Sequence, residues 1–239
     1  LLALGCKISN KTTILANRRA LRQYVASGLR RSGIPLRTAR CALDLGVAST
    51  AGAQRSTAAL RRRIAGTRTR VQRIKILSKT VKRACKLYNT GGHPQASYGA
   101  VAWGYDPTTL QQLRALCHHA VSSDVRGQCA STNIALTIGV KHDPYVKCTR
   151  EQISIWLQIM SRYAPDMQRV SRAWWNTKAH LLTCPPNQKW MRVKGPMGAT
   201  IAAVDSIGWT PVSPRKWVDE QGGEWELKGS SLTLFHLNQ

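Results

Sequence analysis

Residues 55–86 read RSTAALRRRIAGTRTRVQRIKILSKTVKRACK and hold twelve cations and no acid. The cations are Arg55, Arg61, Arg62, Arg63, Arg68, Arg70, Arg73, Lys75, Lys79, Lys82, Arg83 and Lys86. Between them Leu60, Ile64, Val71, Ile74, Leu77 or Ser78, Val81 and Cys85 recur at three- and four-residue spacing, which predicts an amphipathic helix. Ser56 is its expected cap, and Asn89 to Gly92 its end. At 1.5 Å per residue it would be about 45–50 Å long if unbroken. Gly66 costs about 1 kcal/mol inside a helix, and with Thr67 it thins the apolar stripe, so a straight and a kinked helix both stay open.

Like charges four residues apart repel, and a solvated helix face usually mixes the two signs. Here the partner charge must come from outside the helix. The rest of the chain sharpens this. Residues 1–105 hold 21 Lys/Arg and one acid, Asp44, whereas residues 106–239 hold 15 Lys/Arg and 10 acids. The net charge of +25 is therefore concentrated in the first half, which predicts a polyanionic partner for that half. A membrane-surface helix would carry Trp or Phe on its apolar side, and residues 55–86 have neither. Nucleic acid is the expected partner, because a duplex offers a phosphate charge about every 1.7 Å and could match six to eight cations of such a rod. Nothing in the stretch reads bases; arginines at phosphate spacing position a duplex.

With 43% hydrophobic residues over 239 positions the chain can bury a core. Seven cysteines, at 6, 41, 85, 117, 129, 148 and 184, form no CxxC. With no secretory leader in view, the expectation is free thiols in a reducing intracellular compartment, nucleus and organelle not being distinguished. No apolar run approaches the ~18 residues of a membrane span, so no membrane partner is expected. The first residue is not methionine, which suggests a cropped or processed product.

Along the chain, Thr12 to Leu15 read as a strand. Asn17 is an expected cap for a helix to about Gly33 with Leu21, Tyr24, Val25 and Leu29 on one face. CALDLGV reads as a short buried strand and ASTAGAQ as a loop. HPQASYGAVAWGYDP contains a short helix with Pro94 in its first turn. Asp106-Pro107 signals a helix start, Thr149 and Gln152 a capping box for a helix through Ile153, Trp156, Leu157, Met160 and Tyr163, and Asp166 another start, through Val170, Trp174 and Leu181. GATIAAVDSIGW is a small-residue helix. The stretch from Lys216 reads as two or three strands turning at Gly222-Gly223 and Gly229.

Catalytic chemistry is hard to assemble. Metal-dependent hydrolysis or polymerisation needs clustered carboxylates, and the first 105 residues have one acid. Glu224, Glu226, Asp219 and Glu220 read as exposed hairpin charges rather than a catalytic pair. Cys117, His118, His119, Cys129, His142 and Cys148 match no closed zinc module, and read as core cysteine with surface histidine. Trp174-Trp175 reads as core before base stacking.

Three segments in order resemble the C-terminal part of a reverse transcriptase of the non-LTR retrotransposon type. GCKISNKTTILAN resembles the strand that closes the palm after the catalytic aspartates. CALDLGVASTAG resembles the strand before the family's long basic helix. LYNTGGHPQASYGAVAWG resembles its helix beyond the thumb, matching Pro94, Tyr98, Gly99, Ala100 and Trp103. The likeness covers residues 1–105 and fades beyond 165. It implies a thumb and connection region gripping a template–primer duplex. Lys11 would then match the palm lysine near the incoming nucleotide's phosphates, a plain surface lysine being the alternative. The family's YxDD-type aspartates are absent from this sequence, so the resemblance implies no catalysis by this chain alone, and Mg2+ only in a complete polymerase.

The expected fold is α+β and mainly helical. It has a short N-terminal β remnant, a long basic amphipathic helix, a helical middle and a small β-rich C-terminal tail. The expected regions are 1–105 (basic, palm-edge and thumb-like), 106–195 (helical connection) and 196–239 (small α/β tail). No cofactor is expected in this chain and no metal site is assigned. The other reading left open is a basic structural protein of a large ribonucleoprotein such as an organellar ribosome, descended from such an element.

Overall fold

The computed structural model describes residues 9, 11–34, 36–44, 46–52, 54–122, 126–162 and 166–227. The fold is α+β and mainly helical, with a few short strands. Two compact units divide it, Leu1–Ala59 and Leu60–Gln239, so the structural break precedes the compositional one at residue 105.

In the first unit β1 (Thr13–Leu15) and β2 (Arg37–Ala39) pair in parallel, with Thr13 opposite Arg37, and α1 (Arg19–Arg31) joins them. Gly33, at φ 77°, lets the chain reverse after α1. The Ile34 amide then reaches back to the Leu29 carbonyl, a left-handed helix stop that glycine adopts without side-chain strain. At the other end the sequence expectation fails. Arg18, not Asn17, occupies the cap position, and no side chain caps it. The expected apolar face is not covered either: α1 has no buried residue, and Tyr24 is 75% exposed.

CALDLGV and ASTAGAQ also differ from their expectation. They form an antiparallel hairpin of β3 (Cys41–Asp44) and β4 (Val47–Thr50), turning at Gly46 with φ 80°. Ala48 is buried, while Cys41, Leu43 and Asp44 are exposed. Alternation of side chains across a two-stranded ribbon leaves one face to solvent, which an apolar run alone does not disclose.

The second unit is built around α6 (Pro144–Arg162). Its first half places Cys148 in one core with Ile64, Val71, Ile74, Tyr88, Leu113, Cys117 and Ile134. Its second half places Ile153, Trp156, Leu157 and Met160 in another core with Trp174, Leu181, Val193 and Trp217. The contributing helices are α2 (Ala58–Thr80), α3 (His93–Ser97), α4 (Pro107–Val121), α5 (Ala130–Ile138), α7 (Met167–Leu182), α8 (Pro186–Arg192) and α9 (Gly195–Ser206). The indole rings of Trp156 and Trp174 lie 5.2 Å apart, and Trp156 Nε1 donates to the Pro214 carbonyl at 2.9 Å. The small residues Ala199, Ala202 and Ala203 of α9 are buried. They admit close approach: a Cβ on Gly104, itself at φ 72°, would meet Ala199 Cβ at 2.9 Å.

Aspartate caps explain the starts of three helices. Asp106 accepts from the Thr109 amide at 2.9 Å and opens α4, and Asp166 accepts from the Gln168 amide and opens α7. The third corrects the expected Thr149/Gln152 capping box. The helix cap lies six residues earlier, at Asp143-Pro144, where Asp143 Oδ1 accepts from the Tyr145 amide at 2.9 Å. Thr149 is inside α6 and bonds back to the Tyr145 carbonyl. A three-stranded antiparallel sheet follows: β5 (Thr210–Pro211), β6 (Lys216–Val218) and β7 (Glu224–Glu226). The expectations at Tyr163 and Gly229 lie outside the described residues.

Candidate nucleic-acid interface

Helix α2 runs unbroken through Gly66 over 23 residues, about 34 Å, and not the expected 45–50 Å. It stops at Thr80, where Val81 turns to φ −117°, ψ 95°. Residues Lys82–Lys86 continue as a 3-10 turn and a wider turn covers Tyr88–Gly92. Two β-branched residues at 80 and 81 weaken the last turn. Burial of Ala84, Cys85 and Tyr88 fixes the new direction, with the Tyr88 hydroxyl donating to the Leu113 carbonyl at 2.9 Å.

The buried stripe of α2 is Ile64, Thr67, Val71 and Ile74. Thr67 is tolerated there because its hydroxyl donates to the Arg63 carbonyl at 2.9 Å. Leu77 and Val81, expected on this stripe, are 46% and 50% exposed, since the core ends before them. At 100° per residue the cations fall into three rows around this stripe. Arg63 and Arg70 lie on one flank, Arg61, Arg68, Lys75 and Lys79 on the other, and Arg62 and Arg73 opposite.

The first flank is tied down. Arg63 donates to the Tyr98 carbonyl at 2.5 Å and lies 5.0 Å over the Tyr98 ring. Arg70 donates to the Gly91 carbonyl at 3.0 Å. Both spend a donor on holding α2 to the segment that carries Tyr88, although each keeps further N–H groups. The other flank borders a groove of about 330 Å³ against α4. Ile64, Val71 and Leu116 floor it, while Arg68, Lys75 and His119 stand at its edge.

Arg62, Arg68, Arg73, Lys79, Lys82, Arg83 and Lys86 are exposed, and none of them or Lys75 joins an ion pair among the described residues. Four acids of the second unit are engaged elsewhere. Arg114 donates twice to Asp143 Oδ2, at 2.6 and 2.9 Å, Lys216 pairs with Glu224 at 2.7 Å, and Lys189 pairs with Asp205. Asp219 accepts from the Gly223 amide and the Trp225 indole. Of the hairpin carboxylates, Glu224 is thus an ion-pair member and Asp219 a turn-former.

The field of these cations reaches two imidazoles, buried His118 and half-buried His142. His118 is held below the usual range, by burial first and then by His119 and Lys75. His142 is lowered by burial and then by Lys141, Lys147 and Lys86. The six Cys and His residues from 117 to 148 are dispersed: Cys117 is buried with its thiol pushed up to about 12 by burial, and Cys129 is exposed. The described cysteines are free thiols. Lys11 is exposed in the turn before β1, and Arg55 is partly buried; both belong to the first unit. Trp174 is fully buried, whereas Trp175 is 54% exposed with Lys178 Nζ 5.5 Å from its ring. Among the described residues no helix is long and apolar enough to cross a membrane.

Comparison with models of protein families, with curated proteins and with solved structures finds no match to this chain.

Proposed function

We propose that this chain is the duplex-gripping, thumb-and-connection portion of an RNA-directed DNA polymerase of retrotransposon type, and that it binds nucleic acid without polymerising it. The observation that carries the reading is the row of exposed cations on α2 and the following turn that no carboxylate among the described residues answers. Arg68 and Lys75 flank the groove, Arg62 and Arg73 top the helix, and Lys82, Arg83 and Lys86 extend the array past Val81. A phosphate backbone laid along this surface supplies the missing negative charge and releases its counterions. The resemblance in residues 1–105 supplies the polymerase context. With the YxDD-type aspartates absent from the sequence, two-metal chemistry has no ligands here, and Lys11 alone carries no reaction.

The test is binding of a short RNA–DNA hybrid, followed by fluorescence anisotropy against salt. With six or more phosphates neutralised, affinity falls about 10³-fold between 50 and 200 mM salt. A flat response removes the proposal.

A second reading is favoured by α1, which buries none of its residues and carries Arg19, Arg30 and Arg31 exposed on its own surface. A structural protein embedded in folded RNA of a large ribonucleoprotein would cover such a helix from outside. Stoichiometric structured RNA co-purifying with the protein, and resisting competition by hybrid duplex, selects that reading.

A further inference from the structure

Below the basic helix the second unit contains a polar cluster that the nucleic-acid reading does not use. His93 opens α3 and is 1% exposed, yet neither ring nitrogen has a hydrogen-bond partner among the described residues. Facing it are Cys148, fully buried, and Glu151, one turn further along α6. A ring nitrogen of His93, Cys148 Sγ and a Glu151 carboxylate oxygen lie within 4.8 Å of one another. His93 Nε2 and Glu151 Oε1 are 3.7 Å apart, too long for a hydrogen bond. The Tyr105 hydroxyl reaches Glu151 Oε2 only at 3.4 Å. A buried imidazole with both nitrogens unanswered is costly, and such a group needs a specific explanation.

We infer that His93, Cys148 and Glu151 form a binding site for a divalent transition metal of borderline softness, zinc being the best fit. The residue types support this choice. Imidazole, thiolate and carboxylate are all zinc ligands, whereas magnesium and calcium take oxygen alone. The spacing supports it as well. Cys148 and Glu151, at i and i+3, share one face of α6, and α3 brings the third ligand from a separate element. Zinc bond lengths of about 2.0–2.3 Å set tetrahedral ligand atoms roughly 3.3–3.8 Å apart, so the cluster needs to close by about 1 Å at its widest edge.

Cys148 also borders a cavity of about 10 Å³ shared with Tyr105 and Gln152, room for about one water. Cysteine binds zinc as its thiolate, so a dication entering the site displaces the proton of the Cys148 thiol. An ion here would clamp α3 to α6. It would thereby fix the segment whose Tyr98 and Gly91 carbonyls hold Arg63 and Arg70.

The experiment uses the full chain in reducing buffer and cobalt(II) as an optical probe, with zinc in competition. The expected result is a thiolate-to-cobalt charge-transfer band with tetrahedral visible absorption at one equivalent, displaced by zinc, with one proton released. The band is lost in Cys148→Ser and kept in Cys117→Ser, a buried thiol of the same core outside the cluster. Zinc is expected to raise Tm by about 5 °C or more. Should Cys148→Ser fail to fold, the partly exposed Glu151→Gln decides, with cobalt affinity expected to drop about tenfold or more. Absence of the band in the unaltered chain, its survival in Cys148→Ser, or unchanged affinity in Glu151→Gln overturns the site.

Discussion

The two flanks of α2 carry the same charge and meet different surroundings. Arg63 and Arg70 are answered by carbonyls at residues 98 and 91 of their own chain. Arg68 and Lys75 face a groove whose floor is apolar. A guanidinium that finds a carbonyl contributes to holding the fold, while a cation left over an apolar floor is attracted to any polyanion that reaches it. Charge count alone does not separate these roles; the position of each residue relative to the buried stripe does.

The largest expected effect comes from reversing the unanswered rows. Arg62, Arg68, Arg73 and Lys75 all changed to Glu should lower RNA–DNA hybrid affinity by 10³-fold or more near 100 mM salt. The log–log salt slope should flatten by about 3.6, and equilibrium unfolding in urea should be little changed. An unaltered slope would mean that these side chains touch no phosphate.

Next in size is a charge answered inside the protein. Asp143 is buried, caps α6 and takes two donors from Arg114. Asp143→Ala is expected to cost about 2–4 kcal/mol in urea unfolding, with the salt slope of hybrid binding intact. A neutral result would place Asp143 among ordinary surface acids.

A smaller effect compares the flanks directly. Arg63→Ala and Arg70→Ala should each lower stability by about 0.5–1.5 kcal/mol, whereas Arg62→Ala should stay within about 0.5 kcal/mol of the parent. If all three behave alike in thermal melts, the distinction between flanks is lost.

The smallest concerns Cys129, exposed at the start of α5. The Thr132 amide first, then the Thr132 hydroxyl and the Ser131 amide, all near its sulfur at the open end of α5, pull its thiol down to about 7. Because the thiolate is the nucleophile, its alkylation should rise through pH 7 and level off, while buried Cys117 and Cys148 stay inert. Peptide mapping after iodoacetamide pulses at several pH values reads this out. A Cys129 rate still climbing at pH 9 would contradict it.

Much of the second unit was legible because its signals are local. Asp106 and Asp166 cap where an N-cap carboxylate satisfies free amides, and Trp174 and Leu181 recur at helical spacing and are buried. Asp143-Pro144 is the same signal and was open to the same reading; the Thr149/Gln152 pattern competed with it and misled. The hairpin at 41–50 was obscured because exposure on its outer face depends on what packs there. Cys148 and Glu151 sit at i,i+3, a visible hint, but His93 lies more than fifty residues away and only folding brings it to them.

By itself the sequence determined that an amphipathic helix forms within the stretch 55–86 and that its surface is cationic, because apolar periodicity and the lack of acids act locally. The tertiary structure alone decided where that helix stops, which of its arginines are bound to backbone and which remain open. Those outcomes follow from burying Tyr88, Ala84 and Cys85 against α4, and a contact between segments distant along the chain leaves no mark in either segment's own periodicity.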